Sequence, residues 1–132
     1  MQFLKHITVL TSMTCGLSTA DQKYDIENKC TLYCDPKSSL QAVCAKGQLG
    51  EIRFRPTPEN YLLKRANPTQ NLRPGVKGYH NCVGLEADSA HCCDENVKFT
   101  KGSNETTIGA RDFKKFCHDP TPISVKPKHC AY

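Results

Sequence analysis

The cysteines of this chain constrain its fold more than any other feature of the sequence. A disulfide needs Cα atoms about 5.5–6 Å apart, so adjacent cysteines such as Cys92 and Cys93 rarely bond each other and their side chains diverge. We therefore predict that they bond to different parts of the chain, one to a cysteine before Cys82 and the other to a cysteine after Cys93. The predicted disulfide cysteines are Cys30, Cys34, Cys44, Cys82, Cys92, Cys93, Cys117 and Cys130.

The first 20 residues predict a cleaved signal peptide. A short basic start leads into a segment of mostly apolar or small residues, and Ser18-Thr19-Ala20 forms a small-residue cleavage site. The apolar segment is shorter than the roughly 20 residues that span a bilayer, so we expect secretion without stable membrane insertion. The competing hypothesis, a core helix or strand at the N terminus, is disfavoured because charge begins at Asp21. Cleavage also removes Cys15 and leaves an even number of cysteines for four disulfides.

Residues 21–132 predict a single cysteine-rich secreted domain of the α+β class, held by disulfides. With 38% hydrophobic residues and no tryptophan, the chain can form only a thin core. Each disulfide contributes about 2–4 kcal/mol by restricting the unfolded chain, so the four together decide whether the domain folds. We expect short strands and two or three short helices. The pairing of the cysteines stays open at this point.

Local patterns predict the elements. Asp35-Pro36 supplies an N-cap and a first turn for a helix that ends at Gly47. A second helix is predicted from Thr57-Pro58 to Asn67-Pro68, and a third from Arg111 to Cys117, with its two phenylalanines on one face. Asn67–Gly78 is rich in Pro, Asn and Gly and predicts a long surface loop. We further expect an irregular or edge segment at 21–29, a turn at 101–104, and strands at 51–55, 79–83, 97–100 and 123–125.

The basic residues predict a solvated surface with no nucleic-acid partner. Removal of Lys5 with the signal peptide changes the formal charge from +5 to +4, because 17 lysines and arginines then face 13 acidic residues. These basic residues are spread along the chain, whereas a nucleic-acid footprint is a clustered stripe. Such a surface can attract acidic cell-wall polymers or membrane headgroups weakly and in a salt-sensitive way.

All four histidines of the mature chain lie at or near cysteines: His80, His91, His118 and His129. Cysteine and histidine are the usual ligands of zinc, but the paired spacing of a zinc site is missing, and disulfides use up the thiolates. We therefore predict no metal and no cofactor. A site where the four histidines meet to bind copper or zinc is the alternative hypothesis.

Two short motifs concern modification. Leu62-Leu63-Lys64-Arg65 matches the dibasic site of kexin-type proteases, although Lys64 and Arg65 also fit the polar end of the second predicted helix. Cutting there would divide the cysteines into odd groups, so a removed propeptide is disfavoured and a nicked, disulfide-linked product is the alternative. Asn104-Glu105-Thr106 is an N-glycosylation sequon in a predicted turn, so we predict glycosylation of Asn104.

No catalytic residues are predicted. The sequence contains no Gly-X-Ser-X-Gly, no His-Glu-X-X-His and no phosphate-binding loop. A secreted ribonuclease needs Glu, Arg and His to converge, and the chain offers Glu51, Arg53 or Arg55, and His80 or His91. Surface charge explains these residues equally well, so we predict a protein that is not an enzyme.

The architecture resembles that of small secreted cysteine-rich proteins of filamentous fungi, including effectors that plant-colonising species release into host tissue. The features that carry the resemblance are the Met-Gln-Phe-Leu-Lys start, the eight cysteines with their adjacent pair, and the Leu-X-Lys-Arg string. The chain departs from hydrophobins, which need a second adjacent cysteine pair, and it has no chitin-binding string.

The resemblance implies an extracellular virulence or colonisation factor in the host apoplast or host cell. It would act as a monomer by binding a host extracellular or cell-entry protein, or a cell-wall polymer. The alternatives are a secreted protease inhibitor or toxin-like protein that presents Asn67–Gly78, and an extracellular copper- or zinc-binding protein.

Overall fold

A computed structural model of the chain describes residues 15–50, 57–125 and 127–131, with side chains from Ala20 onward. The predicted strand at 51–55 lies outside these ranges. The elements are, in chain order, α1 (Cys15–Asn28), β1 (Leu32–Tyr33), a short 3₁₀ helix (Pro36–Ser38), β2 (Gln41–Gln48), β3 (Asn60–Arg65), β4 (Asn67–Pro68), β5 (Tyr79–Asn81), β6 (Ser89–Cys93), β7 (Glu105–Gly109), α2 (Ala110–Phe116) and β8 (Cys117–His118). This arrangement confirms the predicted α+β class with disulfides.

The described strands form two antiparallel sheets. The larger sheet has the order β7-β3-β2-β6-β8, and the smaller one the order β1-β5-β4. In the larger sheet β2 lies at the centre, where Val43 is opposite both Arg65 of β3 and His91 of β6. Since successive side chains of a strand point to opposite faces, β2 supplies a buried residue to each side of the sheet in turn.

Two hydrophobic clusters lie on the two faces of the larger sheet. One contains Val43, Ala45, Leu63, Cys93, Val97 and Cys117, and the aromatic rings of α2 pack against it. The other contains Leu32, Cys34, Cys44, Ala66 and Cys92. Both clusters are small, as the composition predicts, and both include half-cystines.

Four disulfides join the eight predicted cysteines. The pairs are Cys30–Cys130, Cys34–Cys92, Cys44–Cys82 and Cys93–Cys117. The adjacent cysteines therefore bond to opposite parts of the chain, one partner before Cys82 and one after Cys93, as we expected. Their side chains diverge because β6 sends one residue to each face of the sheet.

The helix predicted from Asp35 to Gly47 is wrong beyond its first turn. Asp35 does cap, since its side chain accepts a hydrogen bond from the Lys37 N–H at 2.9 Å, but only the 3₁₀ helix follows. The rest of the segment is β2, which is buried on both faces at Val43, Cys44 and Ala45. A strand buried on both sides has no alternating pattern, so its periodicity cannot be distinguished from that of a buried helix.

The helix predicted from Thr57 to Asn67 is also wrong, because most of this segment forms β3. Its hydrogen-bond partners, β2 and β7, lie on both sides of it. The predictions of α2 and of the turn at 101–104 agree with the structure, and the strand predicted at 79–83 is confirmed for its first three residues. The strands predicted at 97–100 and 123–125 are absent from the described residues, and 21–28 is helical instead of irregular.

The predicted signal-peptide cleavage site falls within α1. Cleavage after Ala20 would leave Asp21–Asn28 as a helix of about two turns, and this division of the chain stays a prediction. Among the helices that the structure describes, none is sufficiently long and apolar to cross a membrane.

Candidate functional site

An open cleft of about 590 Å³ lies between α2, the start of β3, the middle of β6 and the end of β8. Half of its lining is polar or charged. Its chemically distinctive residues are Tyr61, His91, Phe113, Lys114, His118 and Asp119. Because Cys117 also lines the cleft, the Cys93–Cys117 disulfide ties its floor to the central sheet.

Aromatic rings form one wall of the cleft. Tyr61 and Phe113 stack with ring centroids 3.9 Å apart and ring planes 14° apart. The imidazole of His91 meets Phe113 edge-on at 4.8 Å. The strand register brings these rings together, since β3 and β6 flank β2 and present Tyr61 and His91 to the face that α2 covers.

His91 is the central polar group of the cleft. Its Nε2 lies 2.8 Å from the Ser89 hydroxyl oxygen, and its Nδ1 lies 3.9 Å from a carboxylate oxygen of Asp119. Burial lowers the pKa of His91, whereas the charge of Asp119 and a hydrogen bond to the His118 backbone raise it in part. The ring therefore favours the neutral form at neutral pH.

The imidazole of His91 lies between Ser89 and Asp119, as the histidine of a serine hydrolase triad lies between its serine and its aspartate. The geometry of these three side chains, however, does not match that chemistry. The 3.9 Å separation exceeds a hydrogen bond, and the Asp119 side chain is 97% exposed. A triad needs a buried carboxylate that fixes the orientation and tautomer of the histidine. These three side chains therefore do not form a triad of this kind.

The ribonuclease hypothesis gains no support from the described residues. Glu51, Arg53 and Arg55 lie outside them, and His80 belongs to the small sheet whereas His91 belongs to the large one. The prediction that no residue is catalytic stays a prediction.

The four histidines do not meet at a metal site. Two of them, His91 and His118, share the cleft, whereas His80 lies in β5 and His129 lines a separate cleft beside α1. In the described part of the chain, no three His, Cys, Asp or Glu side chains are grouped so that they could hold a metal ion. The described residues therefore give no support to the copper or zinc hypothesis.

The two motifs for modification lie side by side on neighbouring strands. Lys64 and Arg65 end β3, which is paired on both sides, and the Arg65 guanidinium lies 4.2 Å from the centre of the Phe99 ring. Asn104 is exposed in the turn before β7, and its carbonyl accepts a hydrogen bond from the Arg65 N–H. A protease would have to detach β3 to cut there. Cleavage and glycosylation both stay predictions.

The predicted loop is exposed only between its anchored ends. Asn67 and Pro68 form β4, and Thr69 is buried and donates its backbone N–H to the Tyr79 carbonyl. The backbone N–H of Gln70 then bonds to the Glu27 carbonyl at the end of α1. From Gln70 to Lys77, every residue except Leu72 is exposed.

Comparisons of the chain with models of protein families, with characterised proteins and with solved structures gave no match.

Several residues of the cleft were not identified from the sequence. The sequence correctly predicts that Phe113 lies on the apolar face of its helix. It predicts Tyr61 in a helix, whereas the structure has β3 at that position. No local pattern marks Lys114 or Asp119 as part of a cleft. Their proximity depends on the order of the strands, which no local pattern reveals.

Proposed function

We propose that this chain is a secreted cysteine-rich effector, a virulence or colonisation factor that acts by binding a host component. The observation that carries the proposal is the cleft beside α2, where an aromatic wall and exposed charges stand on a framework held by disulfides. The protein works in this proposal without catalysis, as a monomer, outside the producing cell or inside the host.

The disulfides support an extracellular site of action. Eight bonded cysteines are typical of proteins from oxidising compartments. In the chain-entropy model, a single disulfide that closes a loop of 100 residues contributes about 4.7 kcal/mol, and the other three disulfides, which lie within the loop of Cys30–Cys130, make its share smaller. Such a domain stays folded where proteases are abundant, which suits a molecule released into another organism.

The decisive experiment is deletion of the gene in the producing organism, followed by complementation. We expect the transcript to be confined to host colonisation, and the deletion to weaken colonisation. The intact gene and a Lys115→Glu variant should restore it, whereas Lys114→Glu should not. Lys114 lines the cleft, but Lys115, its neighbour on α2, lies 5.1 Å from the centre of the Phe116 ring and does not line it. Constant expression in culture with no colonisation defect would contradict the proposal.

A protease inhibitor is the second candidate, because the loop after β4 has the form that inhibition requires. Its base is fixed by hydrogen bonds to β5 from Thr69 and to α1 from Gln70 and Asn71, and residues 73–77 that follow are exposed. An inhibitor of this kind would form a tight complex with a secreted protease and lose it when Asn71–Lys77 is replaced by Gly and Ser of equal length. The effector proposal expects that replacement to leave host binding unchanged.

A further inference from the structure

We propose that the cleft beside α2 binds an acidic polysaccharide built from uronic acids, with one sugar ring against the aromatic wall and its carboxylate at Lys114. The inference rests on the proposed function, because it names the chemical class of the host component. Three features of the cleft carry it: its apolar wall, the Lys114 cation and, among the described lining residues, one carboxylate, that of Asp119.

The wall suits a sugar ring. Ligand sites in proteins are mostly apolar, with a few polar groups that fix orientation. The stacked rings of Tyr61 and Phe113 cover each other's inner faces, and their remaining apolar surface lines the cleft together with Pro58. The C–H groups of a pyranose form apolar patches on its ring faces, and such patches pack against aromatic carbon.

Two nitrogen-bearing side chains, of Lys114 and His118, suit a carboxylate. Lys114 lies in the last turn of α2, and the imidazole-bearing His118 follows two residues after the helix ends. Both residues are exposed, so an anion reaches them without the cost of burying a charge. The formal charge of +4 for residues 21–132 adds a long-range attraction for a polyanion.

Asp119 favours a uronate over a phosphate. Its carboxylate lines the same cleft and is almost fully exposed. A phosphate group offers no hydroxyl donor beside its charge, whereas the Asp119 carboxylate accepts hydrogen bonds from the hydroxyl groups of a sugar. A uronic acid polymer brings one negative charge and several hydroxyl donors per ring, and an open cleft allows the chain to continue at both ends.

The test is titration of the oxidised protein with short oligogalacturonates, followed by calorimetry and by NMR shift mapping. A neutral galactan oligomer of the same length is the ligand control. We expect the acidic oligomer to bind, its affinity to fall with added salt, and the largest shifts to occur at Tyr61, Phe113 and Lys114. The neutral oligomer should bind at least about tenfold more weakly, which is the cost of losing one charge-assisted hydrogen bond.

Two variants on α2 distinguish binding at the cleft from general electrostatic attraction between the protein and the acidic oligomer. Lys114→Gln should weaken binding about tenfold, whereas Lys115→Gln, with the same loss of charge, should change it less than about twofold. Thermal unfolding of both variants checks that the fold is intact. Equal effects of the two variants, equal binding of both oligomers, or no binding at all would each overturn the inference.

Failure of the inference is distinct from failure of the proposed function. If oligogalacturonate does not bind, but Lys114→Glu still fails to restore colonisation, the effector proposal stands with another partner. If the oligomer binds at the cleft, but the deletion strain colonises normally, the sugar site stands and the effector proposal falls.

Discussion

Asn81 is the buried polar residue on which three elements of the fold converge. Its side chain is fully buried, and its amide N–H groups donate to the carbonyls of Ile26 and Lys29 at 2.8 and 3.0 Å. Its oxygen accepts from the Asn67 amide and from the Val83 backbone N–H, both at 3.2 Å. The end of α1, β4 and the turn after β5 are thereby fixed through one side chain.

We expect Asn81→Ala to lower the free energy of unfolding by about 2–4 kcal/mol, because it leaves several buried polar groups without partners. Urea denaturation of the oxidised protein measures the change. Asn96→Ala is the matched control, since Asn96 is exposed and bonds to Asp94 through its backbone N–H. It should change the stability by less than about 0.5 kcal/mol. Similar effects of the two substitutions would contradict this role of Asn81.

His91 makes the stability of the domain depend on pH. Burial lowers its pKa in the folded protein, so the unfolded chain takes up the proton first as the pH falls. The contribution of neutral His91 is therefore complete above the unfolded pKa of about 6.5 and is lost as the pH falls through the lowered folded value. A His91→Gln variant should show a weaker decrease of unfolding free energy with acid.

The Asp119→Asn variant tests the pKa of His91 more directly than the stability measurement does. Since the Asp119 charge raises the pKa of His91, its removal should lower that pKa further, which an NMR titration of the imidazole signals reports. The pKa of His80, which burial lowers independently, should not change and is the internal reference. An unchanged titration of His91 would show that Asp119 does not act on it.

Among the elements, the loop after β4 should be the first site of proteolysis. The sequence predicts the first cut within Asn67–Gly78. The structure narrows the expected site of cleavage to Gln70–Lys77, because the residues at the two ends of the predicted loop are paired or buried. We expect a protease of broad specificity to cut within Gln70–Lys77 before it cuts elsewhere between Cys30 and Cys130.

The disulfides give this cut a distinctive result. Cys44–Cys82 joins the two sides of the loop, so the nicked protein should stay intact without reductant and separate into two fragments with it. Mass spectrometry of the fragments locates the cut. A first cut in the exposed turn at 101–102 would mean that the loop is held more tightly than its exposure suggests.

The small sheet depends on close contact at Gly78. A Cβ atom at this position would lie 2.6 Å from the Cys34 carbonyl oxygen and 2.8 Å from the Tyr33 ring. Gly75 has a similar positive φ, 87° against 91°, but no atom lies within 4 Å of its Cβ position. Both alanine variants therefore carry backbone strain, and only Gly78→Ala adds a steric clash.

We expect Gly75→Ala to cost about 1 kcal/mol of unfolding free energy and Gly78→Ala at least about 2 kcal/mol more, because the second displaces β1 from β5. Urea denaturation of the oxidised variants gives the comparison. Equal losses would show that the small sheet can move aside at Gly78.

At the scale of the whole molecule, the disulfides hold the parts together. Cys30–Cys130 connects the end of α1 to the C-terminal segment, and Cys34–Cys92 connects the small sheet to the large one. On the other face, Cys93–Cys117 fastens β8 to β6 at directly opposite positions. The two small hydrophobic clusters are thus linked through the adjacent cysteines of β6.

We expect the mature protein to begin at Asp21 and to contain no free thiol. Intact-mass measurement before and after alkylation without reductant should give the same mass, and peptide mapping should join Cys92 to Cys34 and Cys93 to Cys117. An alkylated cysteine would contradict the four-disulfide arrangement, as would a Cys92–Cys93 bond. Retention of Cys15 would contradict the predicted cleavage.

The sequence by itself determined those properties that depend on covalent chemistry or on one turn of chain. The α+β class, the four disulfides, the divergence of Cys92 and Cys93, the Asp35 cap and the aromatic face of α2 are of this kind. Each follows from bond geometry, or from residues within four positions of one another.

Only the tertiary structure decided whether 41–48 and 60–65 are helix or strand, and which histidines share a cleft. The partners that make β2 and β3 strands lie in β6 and β7, far away in sequence. In β2, residues buried on both faces also leave no alternating pattern to detect. The cleft has the same origin, because Tyr61, His91 and Asp119 meet only after β3, β6 and β8 have joined one sheet. Long-range pairing, which local propensity does not encode, therefore created the candidate site.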